Sequence, residues 1–311
     1  MISTPPIGDF LESVERRLSA ALTAEPSGGI LAEAAQHLCI NGRGKRIRPR
    51  LVWLLGAALG TPRTALEELA TAAELIHGAS LLHDDVVDEG ALRRGVPTAN
   101  VRWGNTVAVL AGDWILTAAM KQLRGLPVAV TWDALDVVAA MTRATVLEAE
   151  ARGRLDLSEA AWRAIAEGKT GALFAWCGSA AARVIGNEEA AARLARFGRR
   201  LGIAFQLADD LRDLCGGEPK DRFADIRNRN PSLPLIRAMA ISPLVRELLL
   251  ADVPIEEIGR AVIASGVVDG AITDLEREVK TAVESLGAGF DLPDLAAFAR
   301  SFSAELGKGP A

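Results

Sequence analysis

Tyrosine is absent from this chain, histidine and cysteine occur three times each, and only six of its 35 basic residues are lysines. The few cysteines and histidines remove classes of function. Cys39, Cys177 and Cys215 stand far apart, show no CxxC spacing and cannot pair without a remainder, so neither a disulfide framework nor a cysteine-based zinc site fits. They read as packing residues in a reducing compartment, and the expected location is cytoplasmic. The sequence also shows no Ser/His/Asp or Cys/His arrangement for a side-chain nucleophile. Basic residues form no long run and the formal net charge is −5, which argues against nucleic acid as a partner. The most apolar long stretch, 103–120, carries Asp113 near its centre, so a buried helix is expected there and no transmembrane segment. Residues 1–10 hold prolines and an aspartate where a secretory signal needs basic residues and an apolar run.

What is present is ample core material: of 311 residues, 50% are hydrophobic, which rules out disorder as the main state. Apolar residues recur at three- and four-residue intervals, as in Leu66, Leu69, Ala73 and Ile76, or Leu194, Phe197, Leu201 and Phe205. That is helix periodicity, and β-branched alternating runs are scarce. Breakers at 42–49, 60–62, 90–97, 125–127, 216–219 and 228–234 cut the chain into roughly ten helices of ordinary length. No linker or composition shift marks a boundary, so the expectation is one all-α domain over 1–311.

Residues 80–90 read SLLHDDVVDEG and residues 205–216 read FQLADDLRDLCG. Each holds D-D-x-x-D after an apolar stretch. On a helix, residues four apart differ by about 40° around the axis and about 6 Å along it, so Asp84 and Asp88 share a face with Asp85 beside them. The same arithmetic groups Asp209, Asp210 and Asp213. Like charges so clustered need a cation or a solvated surface, and oxygen-only ligands suit Mg²⁺ completed by substrate phosphates. Two such clusters at the ends of apolar helices favour metal over a merely solvated helix end. Groups that would meet a bound anion lie in short punctuated segments: GRGKRIRPR at 42–50, RRG at 93–95, GKTG at 168–171, and Lys220 after the second acidic motif.

In GKRIRP, LLHDDVVDEGALRRG, GDWIL, GKTGALF, FQLADDLRD and SLPLI, in this order between about 39 and 238, the chain resembles the trans-isoprenyl diphosphate synthases, or polyprenyl synthetases. The resemblance implies an isoprenoid-synthase-type helical bundle around a central cavity. It implies Mg²⁺ at Asp84, Asp85 and Asp88, bridging to the diphosphate of an allylic substrate, and a further Mg²⁺ at Asp209, Asp210 and Asp213 from the opposite wall. Arg93, Lys169, Thr170, Gln206 and Lys220 would complete the allylic site. Lys45, Arg48, His77 and Arg94 would bind the diphosphate of isopentenyl diphosphate. His77 precedes Asp84 by two helical turns and so points roughly the same way, whereas His83 is about 100° from Asp84 and reads as structural. Ala79 and Ser80 would lie where a growing chain descends from the metal site; both are small, implying a long-chain product of C30 to C50. A homodimer is expected, with 103–120 as a candidate surface.

Three departures from the family pattern stand out. Where a G-E-x-x-Q pattern is usual the chain has Ala149, Glu150 and Gly153; Arg229 and Asn230 occupy the neighbourhood of a second lysine; and the C-terminus, LGKGPA, lacks an arginine-rich close. Competing readings are a geranylgeranyl or farnesyl diphosphate synthase, and a catalytically silent subunit that binds prenyl diphosphate and regulates a partner. A terpene cyclase shares the first acidic motif, but GKRIRP and the second DDxxD suit isopentenyl binding.

Overall fold

Runs of apolar residues at helical spacing become helices throughout the computed structural model, which describes residues 7–23, 29–40, 44–93, 95–216, 222–287 and 293–304. In chain order these are α1 (Ile7–Thr23), α2 (Gly29–Cys39), α3 (Ile47–Ala58), α4 (Arg63–Val87), α5 (Ala99–Trp103), α6 (Asn105–Gln122), α7 (Val128–Ala151) and α8 (Glu159–Ala166). A π-helical turn, Glu167–Gly171, leads into α9 (Ala172–Val184) and α10 (Glu188–Cys215). Then come α11 (Ala224–Asn228), α12 (Leu233–Ile241), α13 (Pro243–Leu250), α14 (Ile255–Ala264), α15 (Val267–Ser285) and α16 (Pro293–Ala304). One two-stranded antiparallel hairpin, β1 (Leu92–Arg93) with β2 (Val96–Pro97), interrupts the helices. The fold is all-α as expected, with more and shorter helices than the breaker count suggested. Among the described residues no helix is long and apolar enough to cross a membrane.

Two compact units make up the chain: Met1–Ala139 with Leu173–Ala195, and Ala140–Ala172 with Arg196–Ala311. In the first, α1 buries Phe10, Val14, Leu18 and Leu22 completely, at four-residue spacing, and Phe10 meets Trp53 of α3 at 4.6 Å between ring centroids. Burying each such side chain is worth about 1.5–3 kcal/mol. The long α4 is apolar around most of its circumference, burying Leu66, Leu69, Leu75, Ile76 and Leu82 among others. It packs closely on α6, where Gly112 lies against the His83 ring with no room for a Cβ. The stretch 103–120 is not one helix: Gly104, at φ +83° and ψ +160°, separates α5 from α6 in a conformation open essentially only to glycine. Nor does Asp113 lie in the core. Its side chain is 62% exposed on α6, which buries Ala108, Ala111, Ile115 and Ala119 on its other side.

In the second unit α15 buries Val267, Ala271, Leu275, Val279 and Ala282, a single stripe. The C-terminal half of α10 buries Leu201, Leu207, Leu211 and Leu214. Charged residues join α8, α12 and α15: Arg237 Nη2 donates to Glu159 Oε2 at 2.7 Å and to Asp274 Oδ2 at 2.5 Å, and Arg163 Nη2 to Glu278 Oε1 at 2.7 Å.

Candidate active site

The first acidic motif occupies the C-terminal end of α4, where the backbone dipole is negative and carboxylates are disfavoured without a cation nearby. Asp84 and Asp85 are nonetheless buried, and Asp88 caps the helix, its N–H donating to Asp84 O at 2.8 Å. Asp85 is bound by Arg93 of the hairpin: Nη2 reaches Oδ1 at 2.7 Å and Nε reaches Oδ1 and Oδ2 at 2.9 and 3.2 Å. The following loop is fastened by Gly90 N–H to Asp85 O at 2.9 Å, by Thr98 Oγ1 to Gly90 O at 2.5 Å, and by His37 Nε2 to Pro97 O at 2.8 Å.

In the same unit the segment before α3 divides its basic residues by role. Arg46, held left-handed at φ +50°, bridges Glu15 of α1 and Glu74 of α4 and donates to Cys39 O. It is an architectural clamp between α1 and α4. Lys45 is exposed, and Arg48 is buried with its guanidinium carbon 5.3 Å from the Phe174 ring centroid. His77 is half-buried on α4; its carbonyl accepts from Ser80 Oγ at 2.8 Å, and Ala79 is fully buried. His83 Nε2 sits 3.2 Å from Val109 O and 3.5 Å from Asp113 Oδ1, a contact between α4 and α6.

In the second unit the GKT segment lies in the π-helical turn, whose wider coil re-aims the side chains it carries. Lys169 is ion-paired with Glu148 of α7. Thr170 Oγ1 donates to Gln206 Oε1 at 2.8 Å, and Gln206 Nε2 donates to Asp210 Oδ1 at 3.0 Å. Asp210 Oδ2 accepts from Trp162 Nε1 at 2.8 Å and from Leu233 N–H at 3.0 Å. Asp213 accepts from the first N–H groups of α11, Ala224 at 2.8 Å and Asp225 at 3.1 Å. Asp209, half-buried, pairs with Arg212. A small cavity of about 20 Å³ is lined by Lys169, Glu148, Gln206, Asp210 and Asp225.

The carboxyls here are short of positive charge. Burial pushes Asp210 up to about 7 despite its three donors, with Asp209 adding to the rise. Burial also raises Asp213, and it lifts Asp225 well above the usual range, helped by the charges of Asp210, Asp213 and Glu148. An oxygen-only donor set under this repulsion fits a hard cation such as Mg²⁺. Among the described residues no three acidic, histidine or cysteine side chains converge into a cage that would hold a metal alone.

The expected residues therefore divide between the two units: Asp84, Asp85, Asp88, Arg93, Lys45, Arg48 and His77 belong to one, and Lys169, Thr170, Gln206, Asp209, Asp210 and Asp213 to the other. Arg94 and Lys220 lie outside the described residues. Arg229 lines a different cavity from Lys169, with its Cδ near Gly153. Sequence reasoning missed Glu148, Asp225, Trp162, Arg46 and His37. Of these Asp225 stands close to an acidic motif and Arg46 lies inside GKRIRP, whereas Glu148, Trp162 and His37 carry no local signature.

A model of the polyprenyl synthetase family matches residues 29–254. The chain is 39% identical over 211 residues to an octaprenyl diphosphate synthase of Haemophilus influenzae, covering 64% of this chain and 62% of that protein. It is 31% identical over 223 residues to a geranylgeranyl diphosphate synthase of Saccharolobus solfataricus, covering 68% of this chain and 67% of that protein. Its structure resembles that of a polyprenyl synthase from Caulobacter crescentus complexed with calcium and isoprenyl diphosphate. The TM-score is 0.87 at 28% identity, over 96% of this chain and 94% of the other.

Proposed function

The chain belongs to the polyprenyl synthetase family, and from that premise we propose that it is a prenyltransferase condensing isopentenyl diphosphate with an allylic diphosphate to give a trans-polyprenyl diphosphate. The observation that carries the reading lies in the second unit. There Lys169, the Gln206 amide and crowded carboxylates line one cavity, and the Thr170 hydroxyl donates to Gln206 Oε1, the pairing of cation and anion that a metal-accompanied diphosphate demands. The calcium and isoprenyl diphosphate held by the Caulobacter protein supports the same ligand class.

In this reaction the allylic carbon–oxygen bond breaks and the diphosphate leaves with the bonding electrons. The isopentenyl double bond then supplies the electrons of the new carbon–carbon bond, and a proton passes from the adduct to the released diphosphate. Asp84, Asp85 and Asp88, together with Asp209, Asp210 and Asp213, would hold Mg²⁺, which when bound supplies charge neutralisation for the leaving group. Lys169, Thr170, Gln206, Arg93 and Lys220 orient and stabilise that departing anion through preorganised donors. Lys45, Arg48, His77 and Arg94 hold the second diphosphate. The apolar faces of the helices keep water from the allylic cation.

Ala79 and Ser80 add no bulk on the α4 stripe that continues through Ile76 and Ala73, which supports a product longer than C15, in the C30–C50 range. We infer a homodimer from the apolar side chains left in water, Val109 and Leu110 on α6 and Trp132 and Leu135 on α7. Helices α7 and α10 run unbroken through the unit boundaries, which supports a single domain over 1–311. The three free thiols fit a reducing cytoplasm. The test is incubation of purified protein with Mg²⁺, isopentenyl diphosphate and each allylic starter, followed by chain-length analysis. Long all-trans products that vanish on chelation are expected. No turnover without a partner chain would favour the regulatory subunit instead.

A further inference from the structure

A cavity of about 240 Å³ lies in the second unit, bounded by the end of α7, the segment around 226–231, α12 and the stretch from α13 into α14. At about 30 Å³ per water in the liquid, it has room for roughly eight waters, or a compact head group and the start of a chain. Its lining is divided in chemistry. Leu235, Met239 and Ile258 are buried apolar side chains, and Leu250, 76% exposed, stands at the mouth. Arg154, Arg227 and Arg229 line it together with Asp252, and the Arg227 guanidinium donates to Arg222 O at 3.2 Å.

Arg229 is held left-handed, at φ +57° and ψ +32°, with its carbonyl accepting Gly153 N–H at 3.0 Å. Left-handed backbone is unfavourable for a residue with a Cβ and costs glycine almost nothing. A side chain kept in a conformation that favours glycine points to a task for that side chain. Among the described residues no carboxylate pairs with the Arg229 guanidinium. Arg154 pairs with Asp156, at 2.9 and 3.0 Å on an open surface, a pairing that solvent weakens. The framework is fixed from behind: Arg152 Nε donates to Asn230 Oδ1 at 3.1 Å and Arg246 Nη2 to Leu155 O at 3.1 Å.

We propose that this cavity binds a small anionic amphiphile, a single-chain phosphate or diphosphate ester. The head group lies among Arg229, Arg154 and Arg227, and the first carbons lie on Leu235, Met239 and Leu250. Guanidinium forks match phosphate oxygens bidentately, and a concavity that sets apolar walls beside polar groups suits a ligand with a charged head and an apolar chain. The cavity shares only Asn230 and Pro231 with the one that Lys169, Gln206 and Asp210 line. Occupancy here is therefore separable from occupancy there.

The test is calorimetric titration of the full chain with decyl phosphate below its critical micelle concentration. Expected is one saturable site that survives Lys169→Ala. Its Kd rises at least tenfold in Arg229→Gly, a change the backbone favours, and also in Leu250→Glu, which places a charge on an exposed apolar position. Decanol and inorganic phosphate should each bind at least tenfold more weakly than decyl phosphate. Wild-type affinity in both variants, loss of binding in Lys169→Ala, or equal binding of inorganic phosphate would overturn the site as described. Arg229-dependent pelleting with phosphatidic acid vesicles would assign the head group to a bilayer lipid and overturn a free ligand.

Discussion

Lys169 and Glu148 form an ion pair withdrawn from water, their side chains only 22% and 13% exposed, although 21 positions separate them in the chain. The pair fixes where the ammonium waits before an anion arrives. It also means that removing the lysine leaves a carboxylate in a poorly hydrated site.

Lys169→Ala is accordingly expected to raise the KM for the allylic substrate at least tenfold, since a hydrogen bond to a charged group is worth about 1.5–3 kcal/mol. Lys45→Ala should act on isopentenyl diphosphate instead. Separate titrations of the two substrates decide the matter, and identical effects of the two variants on both KM values would refute the division of roles.

Asp84→Ala and Asp209→Ala should each lower turnover by several orders of magnitude, a loss on the order of 4 kcal/mol or more in the transition state, with circular dichroism unchanged. Near-wild-type rates in either variant would remove the metal assignment for that carboxylate.

Ser80→Phe is expected to shorten the product. Ser80 is half-buried on α4, one turn before Asp84, and its hydroxyl bonds only the local His77 carbonyl, so the substitution changes shape before it changes stability. Chromatography of the products checks this, and an unaltered length distribution would show that the chain does not pass Ser80.

The thiols make a prediction independent of catalysis. Burial pushes Cys39 and Cys177 up to about 12 and raises half-buried Cys215 less far. At pH 8 a thiol with that pKa is ionised in only about one molecule in ten thousand, and the thiolate is the reactive form. A thiol reagent should modify at most Cys215 in the native protein and all three in guanidinium. Because the folded values of Cys39 and Cys177 lie above the ordinary 9.0, their contribution to stability is complete below pH 9 and is lost as pH rises toward 12. Rapid native labelling of Cys177 would contradict its burial.

Light scattering should give about twice the chain mass of 32.8 kDa at micromolar concentration. Trp132→Glu, on a side chain 63% exposed, is expected to shift that mass toward the monomer if α7 takes part in the interface.

The sequence by itself determined the helical class and carried the motifs of the family. Helix periodicity is a local property, readable over any two turns, and the acidic and basic motifs concentrate their signal within ten residues or fewer. That is why Asp84, Asp88, Asp209 and Lys169 could be named before any coordinates. Tertiary structure decided which partners each charged residue meets. Nothing in GKRIRP distinguishes Arg46 from Arg48, yet one bridges Glu15 and Glu74 while the other lies by Phe174. Nothing near residue 148 announces a partner for Lys169, and nothing near residue 162 announces a donor to Asp210. Asp113 looked central because a linear string has no inside, and only the packing of α6 on α4 turned it outward. Pairings between distant positions are set by the burial of whole helix faces, and a motif read along the chain carries no information about which faces meet.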